Sequence, residues 1–500
     1  MQHYPLIPLD YPDPDVIRVE DIYYMVTTTM HFMPGCEILR SYDLINWEHL
    51  TFVYDVLDCS SKQTLQGQEN AYGKGMWAAS IRYHDGIFYL CFVANDTGKT
   101  YLFRTDDLEG AWIRSEIKGF YHDASLLFDD DGKVYIAYGN KNIYLTELKA
   151  DLSGPLEGGL HRLLVSDTDN TMLGYEGTHF YKINGKYYLF FIHSKKEEWR
   201  RVEACYMAES LLDEFVGRDI FDEDNGYCHQ GIAQGGIVDT PDGKWYSILF
   251  QDYGAVGRVP VLLSVTWEED FPGMDAEGKI PEEANYSYMP LYGSDDFGFE
   301  WQGTLKDTRR KYGCFGLQSI WQFNHTPDLS LVTMDRDKGK LMIKTDKLCQ
   351  NLTQAKNVLT QRMKYPGCAG EITIDATAVN NGDYAGICIL QADFGMIAIT
   401  KKENRYYLVM GNREALEQEV IEVDSPVVEL RAEADFTNMT DMSTYYYKKG
   451  TQWVTIGNRH KLTFDLAHFT GCRFGLFYYA TEEIGGSADF SGFCYVEKDR

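Results

Sequence analysis

Three acidic residues stand where a carboxylate could do acid–base work. Asp13 is clamped between two prolines in Tyr11-Pro12-Asp13-Pro14-Asp15, directly ahead of the apolar pair Val16-Ile17. Asp123 occurs in Tyr121-His122-Asp123-Ala124-Ser125, and Glu176 in Tyr175-Glu176-Gly177-Thr178-His179. Each lies just before, or opens, a run that reads as a β-strand. Proline sets its own φ and biases the preceding residue toward extended backbone, so Asp13 is expected on a stiff, extended segment. Carboxylates in such sets cleave acetals: one protonates the departing oxygen while another helps water or attacks carbon. The acid must keep its proton near neutrality, and a neighbouring carboxylate favours this by like-charge repulsion. Position alone does not say which of the three is base, acid or neighbour.

The elements that must bring them together form an internal repeat. An apolar strand, a tight turn and an aromatic strand recur at Val16–Tyr24, Ser80–Tyr89, Ser125–Tyr135, His179–Tyr188 and Gly236–Tyr246. Asp-Gly or Asn-Gly marks the turn in every copy but the first, which has Glu20-Asp21. These dipeptides favour type I′ hairpins because they accept positive φ. Gly86, Gly132, Gly185 and Gly243 recur roughly every fifty residues, the length of a four-stranded propeller blade. Five copies imply five blades around one axis. The starts of the innermost strands then converge on a funnel, which gathers Asp13, Trp77, Asp123, Glu176 and Gln234.

Around residues 281–294 the pattern dissolves into Pro, Glu, Asn and Ser, which reads as a junction. Beyond it come short alternating strands such as Lys340–Lys344, Gly370–Ile374 and Tyr406–Met410. The expected architecture is all-β: a five-bladed propeller over residues 1–292 and a jelly-roll-like β-sandwich over 293–500. Trp321 reads as sandwich core.

Composition excludes some partners. The net charge is -28, which disfavours nucleic acid and anionic membrane surfaces. Aromatic residues make up 14% of the chain, and flat apolar rings suit sugar faces as well as strands. The 11 cysteines are scattered without a Cys-x-x-Cys pair, as expected of reduced thiols. The first residues, Met1 to Pro5, show no leader pattern, and no apolar run is long enough to span a bilayer. A cytoplasmic protein is expected.

Taken with their neighbours, these segments resemble glycoside hydrolase family 43. The resemblance rests on Tyr11–Val19, Pro34-Gly35 before Ile38–Trp47, Trp77–Tyr83, Tyr175–His179 and Gln234–Thr240 through Gln251–Arg258. The second half is similar to the sandwich domain appended to β-xylosidases of that family, through Trp321–Asp328, Leu359–Arg362 and Asn381–Gly386. The resemblance implies that Asp13 is the general base, Glu176 the general acid, and Asp123 the group that tunes and orients the acid. It also implies inversion at the anomeric carbon, Arg258 near the sugar hydroxyls, and Phe32 and Trp77 as pocket walls. His179 would orient the acid and Gln234 would line the funnel. No cofactor is needed for the chemistry, although family members often hold calcium on the axis, for which His229 or Gln234 are the candidate ligands. Asp15 reads as a partner of the first-blade turn, and His193 and His229 as satisfied interior histidines.

The expected activity is exo-acting release of terminal xylose, arabinofuranose or both from xylo-oligosaccharides or arabinoxylan fragments. The rivals are an endo-arabinanase or galactosidase on the same propeller, and a non-catalytic carbohydrate-binding protein. The sandwich could bind glycan, mediate dimerisation or shield the funnel rim; the last is the favoured expectation.

Overall fold

The computed structural model describes residues 5–298 and 315–498. Residues 1–4, most of the segment read for a leader, lie outside them. The first domain consists of five four-stranded antiparallel sheets. Their inner strands are Asp15–Val19, Ser80–His84, Ser125–Phe128, Glu176–Ile183 and Ile232–Asp239. Each packs beside the next, and the last closes on the first, so the sheets form a ring. The leading segment helps close it: Tyr11 N donates to Arg258 O at 3.0 Å in the fifth blade.

The turns explain the repeat. Asp85-Gly86 and Asn184-Gly185 have φ of 50° and 79°, and of 50° and 80°, as a two-residue type I′ turn requires. Gly132 and Gly243 instead sit in longer turns, since Phe128 pairs with Val134 and Asp239 with Trp245. Each blade buries both faces against its neighbours. Leu90 and Phe92 pack toward the first blade, while Cys91 and Leu102 face the third. This two-sided burial is why the middle strands read as nearly unbroken apolar runs.

The second domain is a sandwich of two seven-stranded sheets. One contains Asp383–Leu390 and Arg473–Ala480, the other Gly367–Asp375 and Ser487–Glu497. Ile387, Phe474, Leu430 and Phe490 fill the space between them. Trp321 is sandwich core as expected, with its indole N–H on Asp295 Oδ2 at 2.9 Å. Among the described residues no helix is long and apolar enough to cross a membrane.

The two domains meet through buried polar groups. The Arg362 guanidinium lies 3.9 Å from the Tyr11 ring centre and donates to Glu37 Oε2 at 2.7 Å. Met33 and Phe323 form a backbone bridge across the boundary. Phe32 corrects an expectation. It is not a wall of the funnel but is buried in the interface, 3.6 Å beneath Arg473, among sandwich residues such as Phe394 and Phe477. A sandwich loop, residues 462–472, instead reaches over the propeller. It is tied down by Gly471 N to Asp10 Oδ2 at 2.8 Å and Cys472 N to Ala255 O at 2.8 Å.

Candidate active site

The inner strands do not simply begin at the funnel; they are bent into it. Asp13, Asp123 and Gln234 have φ of 52°, 47° and 61°, and Gly177, beside Glu176, has 64°. For non-glycine residues this left-handed region is sparsely populated and costs free energy. The extended geometry expected at Asp13 from Pro14 is therefore overridden. Its carboxylate is held from two sides, which stabilises a conformation that Asp tolerates better than most residues. Irregular pairing at Glu176–His179 and at Ala233–Gly235 makes the same kind of adjustment in blades four and five.

These bends converge on a cavity of about 350 Å³. Asp13, Trp77, Asp123, Glu176, Gln234 and Arg258 all line it. Asp13 is buried; Arg258 Nη1 donates to its Oδ1 at 2.8 Å and Thr28 Oγ1 to its Oδ2 at 2.7 Å. Burial pushes the Asp13 carboxyl above its usual range, while Arg258 and then Thr28 favour the ionised form and oppose that rise. Burial likewise raises Asp123; His122 opposes it and the nearby Glu176 charge adds to it. Asp123 Oδ2 accepts the Gly177 N–H at 2.9 Å, so it holds the backbone next to Glu176. A side chain at Gly177 would collide with Gln234, whose Cγ would lie 2.6 Å from its Cβ. Glu176 is less buried and accepts a hydrogen bond from Asn140.

Several functional groups escaped sequence reasoning. His122 Nε2 lies 3.6 Å from Asp123 Oδ2 and 4.0 Å from Glu176 Oε2. Asp123 beside it, reinforced by Glu176, pushes the imidazole up to about 9 against the effect of burial. The two carboxylates beside it therefore favour the charged imidazolium at neutral pH. Its only signal was adjacency to Asp123. Leu466 and Phe469 of the sandwich loop form one wall, and Phe469 stacks 4.6 Å from the Arg258 guanidinium. Phe469 also takes an Arg258 N–H on its carbonyl at 3.3 Å. No local pattern links that loop to blade one.

Other expectations need correction. His179 does not reach the acid; it is buried, with Nδ1 on Asp15 Oδ1 at 3.0 Å, because its strand position faces the axis below the funnel. Asp15 is not a partner of the first turn but a buried axial carboxylate that also accepts Ile81 N at 2.8 Å. His229 is no interior residue. It lies on an exposed loop and pairs with Glu198, with Asp224 at 3.6 Å. His193 is largely buried and meets Asp219 at 2.9 Å, as a satisfied histidine.

The calcium suggestion fares poorly on the donor set. His229 is committed to Glu198 and Asp224, and the Gln234 side chain packs over Gly177. Among the described residues, the one cluster of three or more His, Cys, Asp or Glu able to face a common ion is His122, Asp123 and Glu176. Two of these are carboxylates that the family resemblance assigns to the reaction, beside an imidazole that Asp123 and Glu176 favour in its charged form. The residues proposed for an axial calcium do not fit one.

A buried Asp13 beside an arginine, a more open Glu176, and Asp123 holding the backbone next to Glu176 are the arrangement of a glycoside hydrolase built on a five-bladed propeller. Comparison with known proteins agrees. The profile for glycosyl hydrolases family 43 matches residues 3–272, and that for the beta xylosidase C-terminal concanavalin A-like domain matches 315–496. The chain belongs to glycosyl hydrolase family 43. A xylosidase/arabinosidase of Butyrivibrio fibrisolvens is 24% identical, over 98% of this chain and 98% of its own. A beta-xylosidase of Formosa agariphila is 23% identical, over 98% and 89%. Among solved structures, a bifunctional GH43-CE protein of Bacteroides eggerthii superposes with a TM-score of 0.89 at 38% identity. That match covers 99% of this chain but 64% of the larger protein.

Proposed function

We propose that the protein is an exo-acting, inverting glycosidase that releases terminal xylose, arabinofuranose or both from short xylan-derived oligosaccharides. The observation that carries this reading is the small cavity of about 350 Å³ with the three carboxylates in its wall. It lies near the lower end of the volumes typical of ligand sites, which suits one terminal sugar better than an internal stretch of chain. The sandwich loop closes one side with Leu466 and Phe469, which supports a rim role for the second domain.

Each group then has a task. Asp13, whose ionised form Arg258 and Thr28 favour against the effect of burial, takes a proton from the water that attacks the anomeric carbon. Glu176 gives its proton to the departing oxygen. Asp123 holds the Gly177 N–H and, with His122, surrounds the acid with charge. Trp77 and Phe469 offer flat faces to the sugar ring. Inversion requires a water between base and sugar, hence carboxyls roughly 6.5–9.5 Å apart. The names of the relatives, xylosidase and arabinosidase, support both pentoses as substrates. A reducing, cytoplasmic setting is part of the proposal, supported by free buried thiols such as Cys36, Cys91, Cys388 and Cys472.

The test is release of p-nitrophenol from the β-D-xylopyranoside and the α-L-arabinofuranoside by the wild type and by Glu176→Gln. Cleavage of either, lost in the variant, supports the reading. No release by the wild type, together with cleavage of debranched arabinan, points to endo action. Binding of xylobiose without any cleavage points to a carbohydrate-binding protein.

A further inference from the structure

The propeller axis beneath the funnel is filled by a side chain that the reaction does not touch. Arg82 lies buried in the inner strand of blade two. Its Nη1 donates to Asp15 Oδ2 of blade one at 2.7 Å and to Ile81 O at 2.6 Å. Nε donates to Leu126 O of blade three at 2.9 Å, and Nη2 to Ser125 Oγ at 2.5 Å. Nη2 also faces Phe180 O of blade four at 3.4 Å. The Tyr181 ring lies 5.2 Å from the guanidinium, and its hydroxyl accepts Ile237 N of blade five at 3.2 Å. One planar cation thus connects the inner strands of all five blades, the last through a tyrosine.

We infer that Arg82 is the built-in axial cation of this propeller and a positioning residue for its three carboxylates, in place of a bound calcium ion. Its partners sit close in sequence to the reactive groups. Asp15 is on the strand that Asp13 introduces, Ser125 on that of Asp123, and Phe180 on that of Glu176. Calcium needs six to eight oxygen ligands. Here the axial oxygens of Asp15, Ser125, Ile81, Leu126 and Phe180 already accept from the guanidinium, and its fixed charge repels a second cation. Five N–H donors in one plane match acceptors arrayed around a ring, which a lysine ammonium does not. Because His179 completes the shell of Asp15, the axis carries one carboxylate held between two basic side chains.

The inference concerns the axis, and its link to rate rests on the hydrolase reading above; the experiment separates the two. The full-length protein is dialysed against EDTA, then titrated with calcium chloride while melting temperature, heat of binding and pentoside hydrolysis are followed. The expected result is no saturable binding and no change in melting temperature or rate. Saturable calcium binding that raises the melting temperature overturns the inference, even if no substrate is cleaved. The second arm compares Arg82→Gln, Arg82→Lys and Ser125→Ala well below their melting temperatures. For Arg82→Gln the expected change is a loss in kcat of about 100-fold with KM little altered, the scale of a small displacement of reacting groups. Millimolar guanidinium should restore part of that loss, and Arg82→Lys should not repair it. Ser125→Ala, which keeps the cation and deletes one partner, should lose kcat in the same direction and by less; it serves if Arg82→Gln does not fold. Unchanged kcat in the Arg82 variants or in Ser125→Ala overturns the positioning role.

Discussion

The propeller and the sandwich contribute to the funnel in opposite ways. Among the described residues, the propeller supplies all three carboxylates of the cavity, with strand starts bent into left-handed backbone at Asp13, Asp123 and Gln234. Among the described residues, the sandwich contributes to the cavity the apolar wall of Leu466 and Phe469 and no carboxylate. Yet that wall depends on long-range ties, Gly471 to Asp10 and Arg362 to Glu37, that join opposite ends of the chain. Reactivity here is local to each blade, and enclosure is global. Strain can be held at the strand starts because the ring of blades leaves them little room to relax.

That contrast can be broken most sharply on the propeller side. Glu176→Gln should lower kcat by roughly 10²- to 10⁴-fold, the range for a positioned acid, while the melting temperature stays close to wild type. Steady-state kinetics beside a thermal melt would check both halves.

The next largest effect lies at the domain boundary. Burial would raise Glu37, but Arg362 and His49 outweigh it and hold the carboxyl down at about 2. Arg362→Ala takes the guanidinium from that buried charge and leaves it His49 at 2.9 Å, at a cost of up to about 3–5 kcal/mol. Calorimetry should show a lower melting temperature and a sandwich transition that separates from that of the propeller. A single unshifted transition would mean the domains are not coupled through this pair.

Phe469→Ala sharpens the comparison by removing the aromatic wall together with its stacking on Arg258. Loss of one aromatic wall, worth roughly 1.5–3 kcal/mol of burial, should reduce kcat/KM by about 10- to 100-fold, mostly through KM. A fall in kcat alone would instead place Phe469 with the positioning groups.

Two pH effects follow with opposite signs. His122 is raised to about 9, so its charge and the stability it contributes are fully present below about 6.5 and lost as pH rises through about 9. The alkaline limb of kcat/KM should fall there, and His122→Asn should remove that limb. At the domain boundary His31, His325 and His468 cluster around Tyr72, with Tyr72 and His468 stacked at 4.0 Å. Burial lowers all three, His325 and His468 to about 3. Their stabilising contribution is present above about 6.5 and declines as pH falls toward 3. Urea melts at stepped pH should show this decline, reduced in His325→Gln.

The propeller was legible because its information is local. A strand, turn and strand pattern repeats in each blade, a carboxylate stands at the strand start in three of the five, and the ring does the rest. Asp13, Trp77, Asp123, Glu176 and Gln234 all reach the cavity for that reason, and Arg258, expected from the family resemblance, joins them there. Phe32 misled because an aromatic near the first blade's rim carries no mark of whether it faces sugar or the other domain. Phe469 was illegible because its position depends on a loop set by Asp10 and Ala255, far away in the chain. His179 and Asp15 were misread because strand alternation alone does not tell a funnel-facing residue from one that faces the axis below. His122 was passed over because its role comes from two flanking charges that only the fold assembles.

The most direct test of the account is time-resolved proton NMR of β-1,4-xylobiose hydrolysis, following the anomeric signals before mutarotation. The account predicts that the newly released reducing sugar appears first as the α-anomer, since water held by Asp13 attacks opposite the leaving oxygen protonated by Glu176. First appearance of the β-anomer would contradict it, because the second carboxylate would then be acting as a nucleophile.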